Sequence, residues 1–213
     1  MGSFIQTPKS RGDRYDNGMR TALGFRAHSG WAALIAIAGT IDAPRVLDRR
    51  RIIIANPEIP GSKQPYHAAA GLPFPDAEAL LRSAVASSRA LAVEAISAAV
   101  QALQERGHEV AACAVLLGSG KTLPALDRVL ASHALIHTAE GEMFREVLRW
   151  AANECGLPVT ALREIDLSAS SIERISSLGR LIGPPWTQDQ KYPAVAALTA
   201  LGSQKPLDRG FVL

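Results

Sequence analysis

The chain has 213 residues, of which 47% are hydrophobic and 20% charged, and it carries a formal charge of +3 at pH 7. This excludes a wholly disordered chain, and the length suits one ordinary domain with or without a tail. An isoelectric point near 9.1 permits a nucleic-acid or phosphorylated partner without arguing for one.

Cys113 and Cys155 stand alone, with no CxxC spacing. They read as two small buried hydrophobes in a reduced, cytoplasmic protein. The longest apolar run, Trp31 to Ala38, is far shorter than the ~20 residues a membrane span needs. Residues 1–20 lack the apolar segment of a signal peptide, so no membrane partner is expected.

Residues 1–20 are polar and turn-rich and read as a flexible tail ahead of a single domain over 21–213. Arg26, His28 and Ser29 then open an apolar strand that runs through Trp31 to Ala38. Apolar residues on both of its faces place that strand at the centre of a sheet covered by helices. Gly39 to Pro44 supplies a turn, and Arg45 to Ala55 forms an antiparallel partner. The polar cluster of Arg26, His28 and Ser29 is either a solvated strand end or an anion-binding group.

Asn56 to Pro75 holds five prolines, which argues for a long loop without regular structure. His67 reads there as a solvent-exposed loop histidine. Asp76 to Arg106 is the clearest helix, with Leu81, Val85, Ser88, Ala92, Ile96, Ala99 and Leu103 on one stripe. Asp76 caps its start and Gly107 ends it.

His108 to Leu117 is a strand, followed by Gly118-Ser119-Gly120-Lys121-Thr122. This resembles part of a phosphate-binding loop, but Val115 stands where the first glycine of that motif belongs, and Pro124 removes a helix-start donor. A glycine-rich turn is the stronger reading, in which Ser119 and Lys121 could still meet a phosphate. A short helix over Leu123 to Ser132, capped by Thr122, comes next.

Thr138 to Asn153 is the following helix. His133, His137 and Glu140 have metal-ligand spacing if they share one helix, but Thr138 reads as the cap of a new helix that separates the two histidines. Glu140 and Glu142 then sit in a first turn, where they oppose the positive helix end. Leu157 to Ile165 is a strand and Ser168 to Leu181 a helix broken by Gly183-Pro184-Pro185. Asp189 and Lys191 begin the last helix, which runs to Leu201.

The stretch GFRAHSGWA at 24–32, the strand over 108–117, the unit over 134–162 and the closing Trp186-Thr187-Gln188-Asp189-Gln190-Lys191 together resemble the ribonuclease-H-like superfamily, in its Holliday-junction-resolvase branch. The GFRAHSGWAA and GPPW stretches also resemble a bacterial group of this kind. The resemblance implies an α/β fold: a mixed sheet with an N-terminal antiparallel hairpin followed by strand–helix units, flanked by helices. It implies a nuclease centre in which clustered carboxylates hold two metal ions. Asp189 matches one such acid. Arg26 occupies the first-strand acid position, and Leu117 to Gly120 supplies no acid. A third antiparallel strand has no evident place among the prolines of 57–75.

Three readings follow. In the first, the protein binds nucleic acid or a phosphorylated small molecule through Arg26, Ser29, Ser119, Lys121 and Lys191, with a degenerate metal centre and no standard two-metal cleavage. In the second, it is a hydrolase of rearranged chemistry, with His28 or His137 as base and Glu140, Glu142 or Asp189 as its partner. In the third, it is a non-catalytic interaction protein. The residues specify no cofactor.

Overall fold

The computed structural model describes residues 18–118, 120 and 122–204. The expected tail over 1–20 therefore lies almost wholly outside the described residues, as do Ser119 and Lys121 of the glycine-rich turn. The described chain is built on one five-stranded sheet in the order β3-β2-β1-β4-β5. The strands are β1 Arg20–His28, β2 Trp31–Gly39, β3 Pro44–Ile53, β4 Glu109–Leu117 and β5 Val159–Arg163. β1, β2 and β3 are antiparallel neighbours, while β4 and β5 join β1 in parallel. This is the mixed sheet, an antiparallel N-terminal part followed by parallel strand–helix units, that the resemblance implies.

The third antiparallel strand lies upstream of the prolines, as β1. Arg26 and His28 end this strand rather than opening the next one. The polypeptide reverses at Ser29-Gly30, where Gly30 has φ 77°, a left-handed conformation that glycine adopts without steric cost.

Among the described residues seven α-helices flank the sheet: α1 Pro65–Ala69, α2 Phe74–Glu105, α3 Leu126–Leu130, α4 His133–Glu154, α5 Ala169–Ser176, α6 Gly179–Ile182 and α7 Gln188–Ser203. One sheet face, with Leu23, Phe25, Leu34 and Val115, packs under Ile96 and Leu103 of α2 and Phe144 and Leu148 of α4. The other, with Ala22, Ile35, Ile37 and Leu116, packs under Ile175 of α5 and Val195, Leu198 and Leu201 of α7. α7 lies close to β1 because position 24 is glycine. A Cβ built there would stand 2.0 Å from the Pro193 carbonyl oxygen.

The α2 stripe is buried as its periodicity requires, with Val85 half-buried and Ser88 at 2% exposure. By length and composition alone α2 is also apolar enough to cross a membrane, yet its apolar face is spent on the core described above.

Several local expectations are corrected. The proline-rich segment is not structureless, since Pro65 starts α1 at a first-turn position that needs no N–H donor. α2 begins before Asp76, with Pro73 at its N-cap, so Asp76 is a first-turn acid rather than the cap. Thr122 and Pro124 both precede α3, whose N-cap is Ala125. α4 starts at His133, and Thr138 lies inside it with its hydroxyl donating to the Ala134 carbonyl at 3.0 Å, the bond a mid-helix threonine makes. The segment over 168–181 is two helices rather than one.

Candidate functional site

Strand alternation and register bring Arg26 beside Ala33 and His28 beside Trp31, and Ala33 beside Arg51. All five residues therefore project from the α7 side of the sheet, at the end where β1 finishes. β5 runs parallel to β4 and ends one residue before Glu164. α7 begins with Thr187 at its N-cap, in a reciprocal capping box with Gln190. That cap holds the first turn so that Asp189 faces the strand end.

Arg26 is the centre of the cluster. Its Nε donates to Glu164 Oε1 at 2.8 Å and its Nη2 to Glu164 Oε2 at 3.1 Å, a bidentate pair. Its Nη1 donates to Asp189 Oδ1 at 2.5 Å. The same Oδ1 lies 2.9 Å from His28 Nε2. The Glu164 bond, more than any other influence, raises the Arg26 pKa above its ordinary value, against the opposing effect of burial. For Asp189, burial alone would raise the pKa; the bond from Arg26 and the proximity of His28 outweigh it and hold the carboxyl below the usual range.

Beside this network His28 stacks on Trp31, with ring centroids 4.0 Å apart and planes 5° from parallel. The exposed Arg51 guanidinium lies 3.9 Å from the Trp31 ring centroid. A cleft of about 500 Å³ opens here, lined by Trp31, Arg49, Arg50, Arg51, Pro185 and Asp189 among others. Arg49 forms one wall of it. Its two Nη atoms donate to the carbonyls of Ile182, Gly183, Pro184 and Pro185 at 2.7–3.2 Å. Arg50 pairs with Asp48.

Of the residues singled out in the sequence, Arg26, His28 and Asp189 thus meet in one place. Ser29 is exposed in the adjoining turn and Lys191 is in the first turn of α7. Glu142 is elsewhere, paired with Arg145 at 3.1 Å beside Gly118. Glu140 does not oppose a helix start, because it lies two turns into α4 and is 3% exposed.

Glu140 belongs to a second cluster with His137. His67 is not a free loop histidine: its Nδ1 lies 2.5 Å from Glu140 Oε2, and the Tyr66 N–H donates to Glu140 Oε1 at 3.2 Å. His133 and His137 share one helix face, with Nε2 atoms 3.0 Å apart. The sequence reading missed Glu164, Trp31, Arg51 and His67 as site residues. An acid directly after a parallel strand is a detectable signal for Glu164, since sites gather at the carboxyl ends of such strands. His67 meets Glu140 across 73 residues, and no local pattern announces that.

No family model matches the chain, and no curated protein does. Among solved structures, the chain is similar to RuvC of Thermus thermophilus in complex with a Holliday junction substrate, at 16% identity and a TM-score of 0.47. It is similar to the structure described as Thermus thermophilus RuvC at 15% identity and the same TM-score. Each alignment covers 84% of this chain and 91% of the other.

Proposed function

We propose that this chain binds the sugar–phosphate backbone of nucleic acid along the cleft between β3 and the start of α7, and that it does not carry out two-metal strand cleavage there. The observation that carries the reading is Arg26 donating to both Glu164 and Asp189. Two-metal cleavage needs carboxylates whose charge is available to cations about 3.5–4 Å apart. Here a fixed guanidinium already bridges both acids and offsets one of their two charges, and it would repel a divalent ion. The residues do not fit a two-metal centre. With those acids satisfied, Arg49, Arg50 and Arg51 leave the cleft basic, and Arg51 holds an exposed head over Trp31.

The test is fluorescence anisotropy with labelled single-stranded, duplex and four-way-junction DNA at low salt. Binding that weakens steeply as salt rises supports the reading, since phosphate contacts release counterions. Arg51→Glu should weaken all three substrates alike, and the salt slope should fall by about one for the lost contact. No binding to any of them at about 50 mM salt sinks the proposal, as does Mg²⁺-dependent cleavage that is lost in Asp189→Asn.

A second reading rests on the 2.9 Å contact between His28 and Asp189, a base–carboxylate pair of the kind used in hydrolysis. Unchanged phosphatase and esterase activity in His28→Ala would remove it.

A further inference from the structure

We propose that His67, His133 and His137 hold one late first-row divalent cation of the zinc class, with Glu140 as the carboxylate behind His67. The site lies on the α4 side of the sheet and shares no residue with the basic cleft, so it stands or falls independently of the nucleic-acid reading.

The geometry of the three imidazoles carries the inference. One ligand nitrogen from each lies within 4.8 Å of the other two. A tetrahedral ion with metal–nitrogen bonds of about 2.0–2.1 Å needs its ligand atoms about 3.3 Å apart. The His133 and His137 Nε2 atoms are already 3.0 Å apart, brought together by their i, i+4 spacing on α4. His67 arrives from α1, its ring centroid 4.6 Å from that of His137 and 5.5 Å from that of His133. Small ring rotations close the remaining distance.

Glu140 supplies the second, independent observation. It is 3% exposed, and burying an ionised carboxylate costs free energy unless its charge is matched. Its Oε2 accepts a hydrogen bond from His67 Nδ1–H at 2.5 Å. This fixes the His67 tautomer and turns its Nε2 lone pair outwards, the carboxylate–histidine arrangement that stands behind metal-bound imidazoles. The Tyr66 N–H, at 3.2 Å, fills the other oxygen. A dication bound to His67 would complete the charge balance for this buried acid.

Three imidazoles with no thiolate suit zinc, copper, nickel or iron rather than magnesium or calcium. His133 and His137 are exposed, so the fourth position faces solvent and is open to water or an anion. Because its ligands come from both α1 and α4, the ion would also pin the proline-rich segment to the helix layer.

The test uses the full chain, stripped with EDTA and exchanged into chelator-free buffer, then titrated with Zn²⁺ by calorimetry and Co²⁺ by visible absorption. One equivalent should bind, the cobalt form should show the intense band of a tetrahedral site, and Zn²⁺ should raise the thermal midpoint. His133→Ala and His137→Ala, both exposed positions that should leave folding intact, should abolish the band. Glu140→Gln should weaken Zn²⁺ by about 10–100-fold. The proposal is overturned if the His133→Ala/His137→Ala double variant binds Zn²⁺ as tightly as wild type, or if cobalt gives only the weak spectrum of an octahedral, surface-bound ion.

Discussion

Replacing Arg26 with methionine keeps a side chain of comparable length while leaving Glu164 and Asp189 without their shared cation. The three side chains are 21%, 36% and 27% exposed. A fully exposed pair contributes about 0–1 kcal/mol, whereas removing one partner of a fully buried pair costs about 3–5 kcal/mol. Partial exposure and the loss of two partners at once place the expected cost at about 2 kcal/mol. With a urea m-value of about 2 kcal/mol/M for a domain of this size, the unfolding midpoint should fall by about 1 M at pH 7.

The effect also has a signed pH dependence. The Asp189 carboxyl is held below its ordinary pKa in the folded protein. Its stabilising contribution is therefore fully present above the unfolded carboxylate value of about 3.9. It is lost as pH falls through the lower, folded value. The gap between wild type and Arg26→Met should be widest at neutral pH and should narrow on acidification below about pH 4. Urea titrations followed by circular dichroism at a series of pH values read both quantities. A midpoint unchanged at pH 7, or a gap that persists undiminished well below pH 4, would refute the ion-pair account.

Gly24→Ala should destabilise by at least about 1–3 kcal/mol, because the new methyl would meet the Pro193 carbonyl at 2.0 Å and Ala197 Cβ at 3.1 Å; thermal unfolding checks it. Arg49→Ala should remove the four carbonyl contacts of the 182–185 turn, seen as faster amide exchange there with little change in the α2 core. Cys113 is fully buried and burial pushes its thiol pKa up, so Ellman's reagent should modify one thiol, the half-buried Cys155, in native protein and both in denaturant.

The long helix, the apolar central strand and the β4 strand were legible because each repeats a spacing, 3.6 or 2 residues, over many positions. β1 is hidden in the sequence because the Ser29-Gly30 reversal sits inside one continuous strand-like run; the serine–glycine pair is the available signal. The start of α4 is obscured because Thr138 has a capping residue's chemistry, while the actual N-cap is Ser132, directly before His133. At the cluster, Arg26, His28 and Asp189 could be nominated from the ends of elements. Glu164 and Arg51 join them only because β5 and β3 flank the inner strands, a consequence of sheet order that no local window contains. His67 depends on α1 docking against α4, which the prolines concealed.

β3 is a border strand of the sheet, and one of its edges has no ladder partner among the described residues. Such a rim invites a second molecule to add its own strand, the route by which β-rich proteins polymerise. Arg45, Asp48, Arg49, Arg50 and Arg51 crowd this rim, and a neighbour's β3 would bring the same positive row against it. The opposite rim, β5, spans only five residues, too short to template a long pairing. A positive row of this kind opposes edge-to-edge pairing of two copies through β3. Variants that exchange these arginines for β-branched apolar residues should lose colloidal stability in concentrated solution even where the fold itself is intact.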